Sequence, residues 1–566
     1  MDISRRIFLK RTITGATLLV SGQLSAFAKD DAPKTTLEHT GVSSPEIPGV
    51  GSSQSHADAI VPLPETQTVA NPEAIKQLQE ALKQLKIKGR VTTPGDSDYA
   101  EVSKDYNGRF KSNPQCIIFC ASESDVIAAV KLASKQNLPV SLRSGGHSYE
   151  GFSIADGGIV IDVSKMTNIK INALKKTAQV ESGTTLMPLY EAMWEKRLVV
   201  PGGSCATVGV AGLALGGGFG LLARNMGLTC DNILGVRMVD AKGEIVEANE
   251  HHNADLLWAC RGGGGGNFGV VTEFTLQAHP INNVTVFKMK WNWADMPAVI
   301  QAWQKWAPHV DQRMTSVLTL TSKKSNRVSC IGVFVGGQAD VRALIKPLSA
   351  AAKPLNVSIT TTPFIDAVNR FSGVRKGKPA PGANPLGATK PSGAAKSLAA
   401  AKSLTVAKPS PDTVHMHVHP RFKNTSDYVS KELDEEAIKT IVTYLTDSPR
   451  DSSCIQFDSY GGKINQVPLK DTAFCHRGDT KFCIHYQISW QKAAEDERNI
   501  TWIADFKNAM KSHVSGFSYV NYCDRETEDW ANSYYGDNLE RLIAVKNKFD
   551  PDNFFKFAQS IPVVAP

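Results

Sequence analysis

Apolar residues recur at two different spacings in the first half of the chain, and these spacings predict alternating helices and strands. Residues 73–85 and 123–136 carry apolar side chains at helical spacing. Ser122 and Asp125 stand in the S-x-x-D relation that favours the start of a helix. Short apolar runs at 117–120, 139–144 and 158–164 are typical of buried strands. The alternation predicts an α/β region.

The pattern changes beyond about residue 283, where longer strand-like segments separated by helices take over. These segments are residues 284–293, 316–323, 328–337 and 454–462. Such a succession predicts an antiparallel sheet backed by helices, and hence a second domain in a protein of the α+β class. Residues 376–411 are rich in Ala, Lys, Pro, Gly and Ser, so we expect a disordered low-complexity insertion there.

The first 28 residues have the features of an export signal. Residues 4–10, SRRIFLK, match a twin-arginine signal, and a short apolar stretch leads to the A-x-A cleavage pattern of Ala26, Phe27 and Ala28. We therefore expect the twin-arginine export machinery to carry the folded chain to the bacterial periplasm or beyond. Residues 29–75 are rich in Ser, Thr, Pro and Gly at their start, and we interpret them as a flexible linker.

Charge and hydropathy argue against a nucleic-acid partner and against a membrane span. The formal net charge of +8 is mild, and no basic run is interleaved with aromatic residues, so we expect no nucleic-acid partner. No run of about 20 apolar residues occurs, so we expect no membrane span in the mature protein. None of the ten cysteines forms a C-x-x-C motif, but Cys475 and Cys483 flank a short loop and could form a disulfide.

Glycine is concentrated in three stretches, RSGGHSYEG at 143–151, GGSCATVGVAGLALGGGFG at 202–220 and RGGGGGNFGVVTEF at 261–274. Loops of this kind bring backbone amides close to a phosphate or pyrophosphate group. A nicotinamide-binding site of the G-x-G-x-x-G type is rejected, because the glycine run 262–266 leads into a strand rather than a helix. No G-K-[ST] sequence follows a glycine loop either, which excludes a Walker-type site.

Together with the C-terminal stretches YVNYCD and YYGDNLERLIAVKNKFDPDNFFKFAQSIP, these motifs resemble the berberine-bridge-enzyme-like branch of the vanillyl-alcohol oxidase and p-cresol methylhydroxylase flavoproteins. The resemblance covers nearly all of residues 112–283 and 515–566. It implies an FAD-binding domain over residues 76–282, a substrate domain over residues 283–514, and a segment, 515–566, that returns to the FAD-binding domain.

The resemblance also implies two covalent links to FAD. The histidine of R-S-G-G-H, here His147, would be joined to the 8α-methyl carbon, and the cysteine of G-x-C-x-T-V-G, here Cys205, to flavin C6. Both side chains are nucleophiles, as such attachments require. Val208 stands where a small residue is associated with oxidases. The other FAD contacts implied are Arg143, Ser144, Gly145, Gly146, Ser148, Gly202, Gly203, Ser204, Thr207, Val208, Gly209, Gly212, Gly216, Gly217, Gly220, Gly269, Val270 and Asn538.

A base must take the proton of the substrate hydroxyl when hydride leaves the carbon. The resemblance assigns this role to the second tyrosine of Y-x-N-Y, here Tyr522, with Tyr519 beside it. In oligosaccharide oxidases a Q-x-D strand supplies the acceptor for the tyrosine proton, and the matching residues here are Gln456 and Asp458. Their i, i+2 spacing places both on one face of a strand.

The sequence therefore predicts an exported FAD oxidase that takes hydride from a sugar or another alcohol, with oligosaccharide C1 oxidation to a lactone favoured and O2 reduced to H2O2. Three alternatives remain open. These are a dehydrogenase with another electron acceptor, an oxidase of phenolic or alkaloid substrates, and a flavin-carrying binding protein. We expect no metal, although His415, His417 and His419 alternate on one predicted strand and could bind a transition metal.

Overall fold

The structure, a computed structural model, describes residues 72–372 and 420–564, with side chains from residue 76. The predicted export signal, most of the predicted linker and the predicted low-complexity insertion lie outside the described residues, as do His415, His417 and His419. The first described element is α1 (Pro72–Gln84), so the predicted linker gives way to a helix at its end.

The first sheet has the order β1-β2-β4-β3. Its elements and the helices between them are β1 (Arg90–Thr92), α2 (Tyr99–Val102), β2 (Cys116–Phe119), α3 (Glu123–Gln136), β3 (Val140–Arg143) and β4 (Ile159–Asp162). Strands β2, β3 and β4 are parallel, and β1 is antiparallel to β2. Helix α3 covers this sheet through Val126, Ala129 and Val130, which are fully buried. The predicted helix–strand alternation is confirmed here.

A second sheet of five antiparallel strands, in the order β5-β6-β10-β8-β9, follows in the same part of the chain. The elements of this region are β5 (Ile169–Asn172), β6 (Thr177–Glu181), α4 (Leu186–Glu195), β7 (Leu198–Val199), α5 (Val210–Leu215), α6 (Ala223–Met226), β8 (Ile233–Val239), β9 (Ile245–Asn249), α7 (Ala254–Cys260), β10 (Val270–Gln277) and β11 (His279–Pro280). The region is thus not α/β throughout, because its second sheet is antiparallel.

The largest described sheet has seven antiparallel strands in the order β15-β12-β14-β13-β17-β18-β16. The elements of this region are β12 (Asn283–Trp291), α8 (Met296–Trp306), β13 (Met314–Thr321), β14 (Val328–Phe334), α9 (Gln338–Leu344), α10 (Lys346–Ala351), β15 (Asn356–Pro363), α11 (Phe364–Phe371), β16 (Arg421–Val429), α12 (Glu435–Thr446), β17 (Cys454–Ser459), α13 (Lys463–Gln466), β18 (Phe482–Trp490) and α14 (Asp496–Met510).

One face of this sheet packs on helices α8, α12 and α14 around Trp303, Ile441 and Phe506, each fully buried. The other face joins the core of the five-stranded sheet, to which Val317, Ile331 and Val333 belong. The predicted α+β class, with an antiparallel sheet backed by helices, is confirmed.

The last described residues return to the glycine-rich region through helices α15 (Trp530–Tyr535) and α16 (Leu539–Phe549). The Lys546 ammonium is buried and donates to the carbonyls of Asn267 and Phe555. The amide of Ile561 donates to the Asn267 side chain. The 262–267 loop is thereby held from its C-terminal side. Across the described residues, we find no helix with the length and apolarity to cross a membrane.

Cys475 and Cys483, which the sequence allowed to pair, do not form a disulfide. All ten cysteines are free thiols. Cys483 lies within strand β18 and is buried, and the Cys475 thiol donates to the carbonyl of Tyr534 at 3.5 Å. The two cysteines therefore contact different neighbours.

Candidate active site

The glycine-rich loops meet around a cavity of about 320 Å³ that lies against the seven-stranded sheet. Its walls come from residues 140–153, 203–219, 264–271, 519–523 and 555–559, and from strands β17 and β18. The loops approach so closely that glycine is required. A Cβ on Gly145 would stand 2.3 Å from the amide nitrogen of Gly209, and one on Gly209 would stand 2.4 Å from that of Gly145.

Other glycines leave the space that a ligand would need. A Cβ on Gly212 would meet nothing within 4 Å, and one on Gly265 would have its nearest neighbour at 3.6 Å. Both residues line the cavity. Backbone that is close-packed on one side and open on the other suits an elongated cofactor with a pyrophosphate, because amides can approach it directly. These residues therefore fit FAD.

Most of the sequence-predicted cofactor residues line this cavity. They are Arg143, Ser144, Gly145, Gly146, His147, Ser148, Gly203, Cys205, Val208, Gly209, Gly212, Gly269 and Val270. Arg143 is already engaged by protein, since its guanidinium is paired with Asp162 and donates to the Val102 carbonyl at 2.7 Å. It supports the loop more than it offers donors to a ligand.

Thr207 is exposed and contacts His147 and Cys205, whereas Gly202, Ser204, Gly216, Gly217 and Gly220 lie outside the cavity lining. Ser204 is buried, and Gly202 packs against Gly220, where a Cβ would stand 1.7 Å from the Gly202 carbonyl oxygen. A Cβ on Gly216 would stand 2.1 Å from the Asn521 side chain, and one on Gly217 would stand 3.0 Å from the Tyr519 hydroxyl. The absence of a side chain at Gly216 and Gly217 therefore leaves room for the 519–522 turn and not for a ligand.

Asn538 lies outside the cavity lining, against a neighbouring loop. Its amide donates to the carbonyls of Leu469, Thr472 and Ala473 at 3.2–3.4 Å. The structure therefore does not bring this predicted cofactor residue to the site.

His147 and Cys205 converge on one hydroxyl. The Nε2 atom of His147 lies 2.9 Å from the Thr207 Oγ1, and the Cys205 Sγ lies 3.8 Å from the same oxygen. The imidazole also packs on the Tyr106 ring, with the centroids 4.1 Å apart. Two nucleophiles from separate loops thus reach the same part of the cavity.

Tyr522 stands at the end of the cavity formed by the seven-stranded sheet, on a short 3-10 turn, Val520–Tyr522. Its hydroxyl donates to Asp458 Oδ2 at 3.1 Å, and the Gln456 amide donates to Asp458 Oδ1 at 2.8 Å. Burial raises the pKa of Asp458 to about 6, against the two hydrogen bonds that lower it. Burial, followed by the Asp458 charge, holds the pKa of Tyr522 well above 10.

Tyr519 has a different environment from Tyr522. Its hydroxyl accepts hydrogen bonds from the Gly218 amide at 2.7 Å and from the Asn521 side chain at 3.0 Å. The Asn521 amide also donates to the Leu213 carbonyl. Tyr519 therefore joins the C-terminal turn to the glycine-rich loop, whereas Tyr522 is the tyrosine of this turn that contacts Asp458.

Three residues that the sequence reasoning missed complete this end of the cavity. His485 stacks on the Tyr522 ring at 3.8 Å between centroids, and Tyr149 lies parallel to both rings at 5.9 and 6.0 Å. The Gln487 amide donates to the His485 Nδ1 at 3.1 Å, and burial lowers the pKa of His485 to about 3, so the imidazole is neutral.

The register of β17 and β18 explains why these groups meet. Gln456 lies directly opposite His485, and Cys454 opposite Gln487. Residues opposite each other in an antiparallel pair point to the same face. The one sequence signal for His485 and Gln487 was therefore their i, i+2 spacing in β18, which repeats the spacing of Gln456 and Asp458 in β17.

Comparison with known proteins gives two family matches, one before and one after the residues of the seven-stranded sheet in the chain. The FAD binding domain family matches residues 114–249, and the family described as berberine and berberine like matches residues 518–562. Both matches fall on segments that line the cavity.

Several proteins resemble the chain over most of its length. An uncharacterized FAD-linked oxidoreductase of Bacillus subtilis (strain 168), YgaK, is 36% identical over 485 residues, which are 85% of this chain and 98% of that protein. The monolignol oxidoreductase AtBBE-like 13 of Arabidopsis thaliana is 30% identical and covers 79% of this chain and 84% of its own. The solved structure of a chitooligosaccharide oxidase has a TM-score of 0.73 at 26% identity, and covers 86% of this chain and 99% of its own.

Proposed function

Because the chain belongs to the berberine bridge enzyme-like family of FAD-linked oxidoreductases, we propose that it oxidises the CH–OH group of a sugar or another alcohol and passes the electrons to O2. FAD, when bound, supplies the oxidising ring that takes the hydride of the substrate carbon. The chain's own residues hold the cofactor, orient the substrate and remove the hydroxyl proton.

We assign the two covalent attachments of FAD to His147 and Cys205. Their meeting at the Thr207 hydroxyl supports this assignment, since both nucleophiles must reach one ring system from separate loops. A threonine hydroxyl that accepts from one partner and donates to the other holds both side chains in place before attachment. A tether at two points keeps the ring fixed even where the cavity is wide.

The contact between Tyr522 and Asp458 carries the proposed reaction. The phenol is protonated at neutral pH, so it can accept the substrate proton only if it passes its own proton on. Asp458 Oδ2, 3.1 Å away, is the acceptor. Burial makes this carboxylate a stronger base than an exposed aspartate, because its pKa is about 6. The stacked His485 ring and the Gln456 amide hold the two partners in register.

An oligosaccharide is the favoured substrate. The cavity wall beside Tyr522 presents Gln456, His485 and Gln487, whose amide and imidazole groups suit sugar hydroxyls. The chitooligosaccharide oxidase shares the fold at 26% identity. Oxidation at C1 removes two protons and two electrons and gives a lactone, while O2 takes up both and becomes H2O2.

A phenolic alcohol is the second candidate. Tyr106, Tyr149 and Phe219 line the same cavity and offer apolar faces to an aromatic substrate. A relative of this chain carries the name monolignol oxidoreductase. A dehydrogenase that uses another electron acceptor differs from an oxidase only in the step that reoxidises the flavin. Val208, the small residue associated with oxidases, lies at the cavity wall.

A substrate panel separates these possibilities. Sugars, oligosaccharides and cinnamyl-type alcohols are offered to the wild type, and H2O2 release is compared with dye reduction. Tyr522→Phe is expected to lose turnover on the accepted substrate, whereas Tyr428→Phe, which removes a buried hydroxyl 3.0 Å from that of Tyr460, keeps it. Equal turnover in wild type and Tyr522→Phe contradicts the assignment of the base. Dye reduction without H2O2 identifies a dehydrogenase.

We also propose export through the twin-arginine route, on the strength of SRRIFLK at residues 4–10. A chain in which Arg5 and Arg6 are both replaced by lysine is expected to stay in the cytoplasm of the expressing bacterium. Equal amounts of both chains in the periplasmic fraction contradict this part of the proposal.

A further inference from the structure

A cluster of six charged side chains lies beside the active site, and the proposed mechanism uses none of them. Three are basic and three are acidic, so the formal charges cancel. The cluster consists of Arg109, Glu150, Lys423, Asp524, Arg525 and Glu526. Glu150 and Lys423 are almost completely buried, whereas the Glu526 side chain is 45% exposed and marks the solvent edge.

Lys423, on strand β16, is the centre of this cluster. Its ammonium lies 2.8 Å from Glu150 Oε1 and 2.5 Å from Asp524 Oδ1, and it is paired with Glu526 as well. The two arginines are more distant from the carboxylates, at 3.8–3.9 Å. Burial alone lowers the pKa of Lys423, but the three carboxylates outweigh it and hold the pKa above its usual value.

The three carboxylates have the spacing of a cation site. One oxygen from each of Glu150, Asp524 and Glu526 lies within 4.8 Å of the others. The Lys423 ammonium contacts all three and so supplies the positive charge that they require. Lys423 thus takes the place of a metal ion in holding these segments together.

The acids of the cluster belong to the two segments that carry the proposed chemistry. Glu150 follows His147 by three residues and is adjacent to Tyr149, whose ring is parallel to that of Tyr522. Asp524 follows Tyr522 by two residues. Lys423 therefore joins the loop of the proposed FAD anchor to the turn of the proposed base.

Neighbouring contacts join the same segments. The Asn107 amide donates to the carbonyls of Tyr149 and Phe422 at 2.8 and 2.9 Å, which ties the His147 loop to the start of β16. The Arg525 guanidinium donates to the Glu150 carbonyl at 2.6 and 3.0 Å. Both contacts go to neutral carbonyls, so they join the segments without engaging the carboxylates. The ion pairs of Arg109 and Arg525 with the carboxylates are longer, at 3.8–3.9 Å, and offset less of the negative charge than Lys423 does.

We propose that Lys423 is a positioning residue that couples the 147–152 loop to the 519–526 turn, so that both segments loosen together when its charge is removed. Without the ammonium, three carboxylates remain within 4.8 Å of one another, two of them buried. Their repulsion and desolvation act on both segments at once. The functional consequence, joint loss of FAD attachment and of base placement, rests on the proposed function; the coupling itself does not.

Amide hydrogen exchange of the full-length chain tests the coupling. In Lys423→Met, exchange is expected to rise about tenfold or more in peptides 147–152 and 519–526, and to remain unchanged in strands β12 to β14. Arg421→Met is the matched control, because it removes an ion pair with Asp496 from the same strand. In that variant neither segment is expected to change.

The proposal is overturned if only one segment changes, if neither does, or if protection falls throughout the chain. If Lys423→Met does not accumulate as folded protein, Lys423→Gln, which also lacks the charge but keeps a polar side chain, is judged by the same criterion. Intact mass after denaturation gives a second readout. The fraction of chains with attached FAD is expected to fall in Lys423→Met and not in Arg421→Met. A wild type without attached FAD refutes the attachment, while the exchange result still decides the coupling.

Discussion

Replacing Asp458 by asparagine is expected to stabilise the protein and to reduce its activity. Burial raises the pKa of this carboxyl from 3.8 to about 6, so the folded state binds its proton more tightly than the unfolded state does. Stability is therefore lost as the pH rises from about 4 to about 6, and the loss is complete above that range. Two pH units correspond to about 3 kcal/mol.

The asparagine side chain removes this penalty but cannot keep both hydrogen bonds. Asp458 accepts from Gln456 on one oxygen and from Tyr522 on the other, and asparagine replaces one of these acceptors with an amide group. The lost bond costs about 1 kcal/mol. The expected net gain is therefore about 2 kcal/mol at pH 8 and about zero or slightly negative at pH 4, where Asp458 is protonated. Turnover falls by about 10²–10⁴-fold because the proton acceptor is gone.

Thermal unfolding between pH 4 and pH 8 measures the stability difference, and initial rates on the accepted substrate measure the activity. Asp427→Asn is the control, because burial also raises the pKa of Asp427 to about 6, but this residue lies apart from Tyr522 on strand β16. It is expected to show the same pH-dependent stabilisation with unchanged turnover. An Asp458→Asn chain that gains no stability at pH 8 refutes the electrostatic reasoning, and one that keeps wild-type turnover refutes the relay.

The remaining predictions concern the cofactor and the C-terminal segment. In His147→Ala and in Cys205→Ala, one attachment remains, so the intact mass after denaturation still includes one FAD. Only the double variant is expected to lose the FAD mass. Its loss in either single variant contradicts two independent links. Gly145→Ala is expected to abolish FAD loading, measured by absorbance of the purified chain, because its Cβ would stand 2.3 Å from the Gly209 amide; normal loading contradicts the close approach of the loops. Lys546→Met leaves Asp550 buried without its partner and is expected to destabilise the chain by about 3–5 kcal/mol in denaturant titration, and an unchanged midpoint contradicts this.

Local patterns predicted the elements that depend on neighbouring residues in sequence. The helix expected at 123–136 forms as α3 over these residues, because its apolar stripe lies within one segment; the Ser122 hydroxyl donates to Asp125 instead of accepting from a backbone amide. The antiparallel five-stranded sheet was not predicted, since β6 pairs with β10, which follows it by about 90 residues. Such pairing depends on packing between distant segments, which hydrophobic spacing does not encode.

The residues of the candidate site fall into the same two groups, those marked by a local motif and those brought in by pairing between distant strands. The motif residues His147, Cys205 and Tyr522 were found because each lies in a recognisable stretch. His485 was missed because its i, i+2 spacing with Gln487, in an otherwise apolar strand, is a weak local signal. Only the register of β17 with β18, which sets Gln456 opposite His485, shows that it belongs to the site.

The two faces of this strand pair explain how the protein tolerates a costly site. Gln456, Asp458, His485 and Gln487 share one face and are all buried, and the His485 Nε2 has no hydrogen-bond partner among the described residues. Buried polar groups without full partners cost stability. Ile455, Phe457, Ile484 and Tyr486 alternate with them and pack on the helices of the opposite face. A shift of one residue in register would exchange the two sets, so the apolar core also keeps the polar groups in the site.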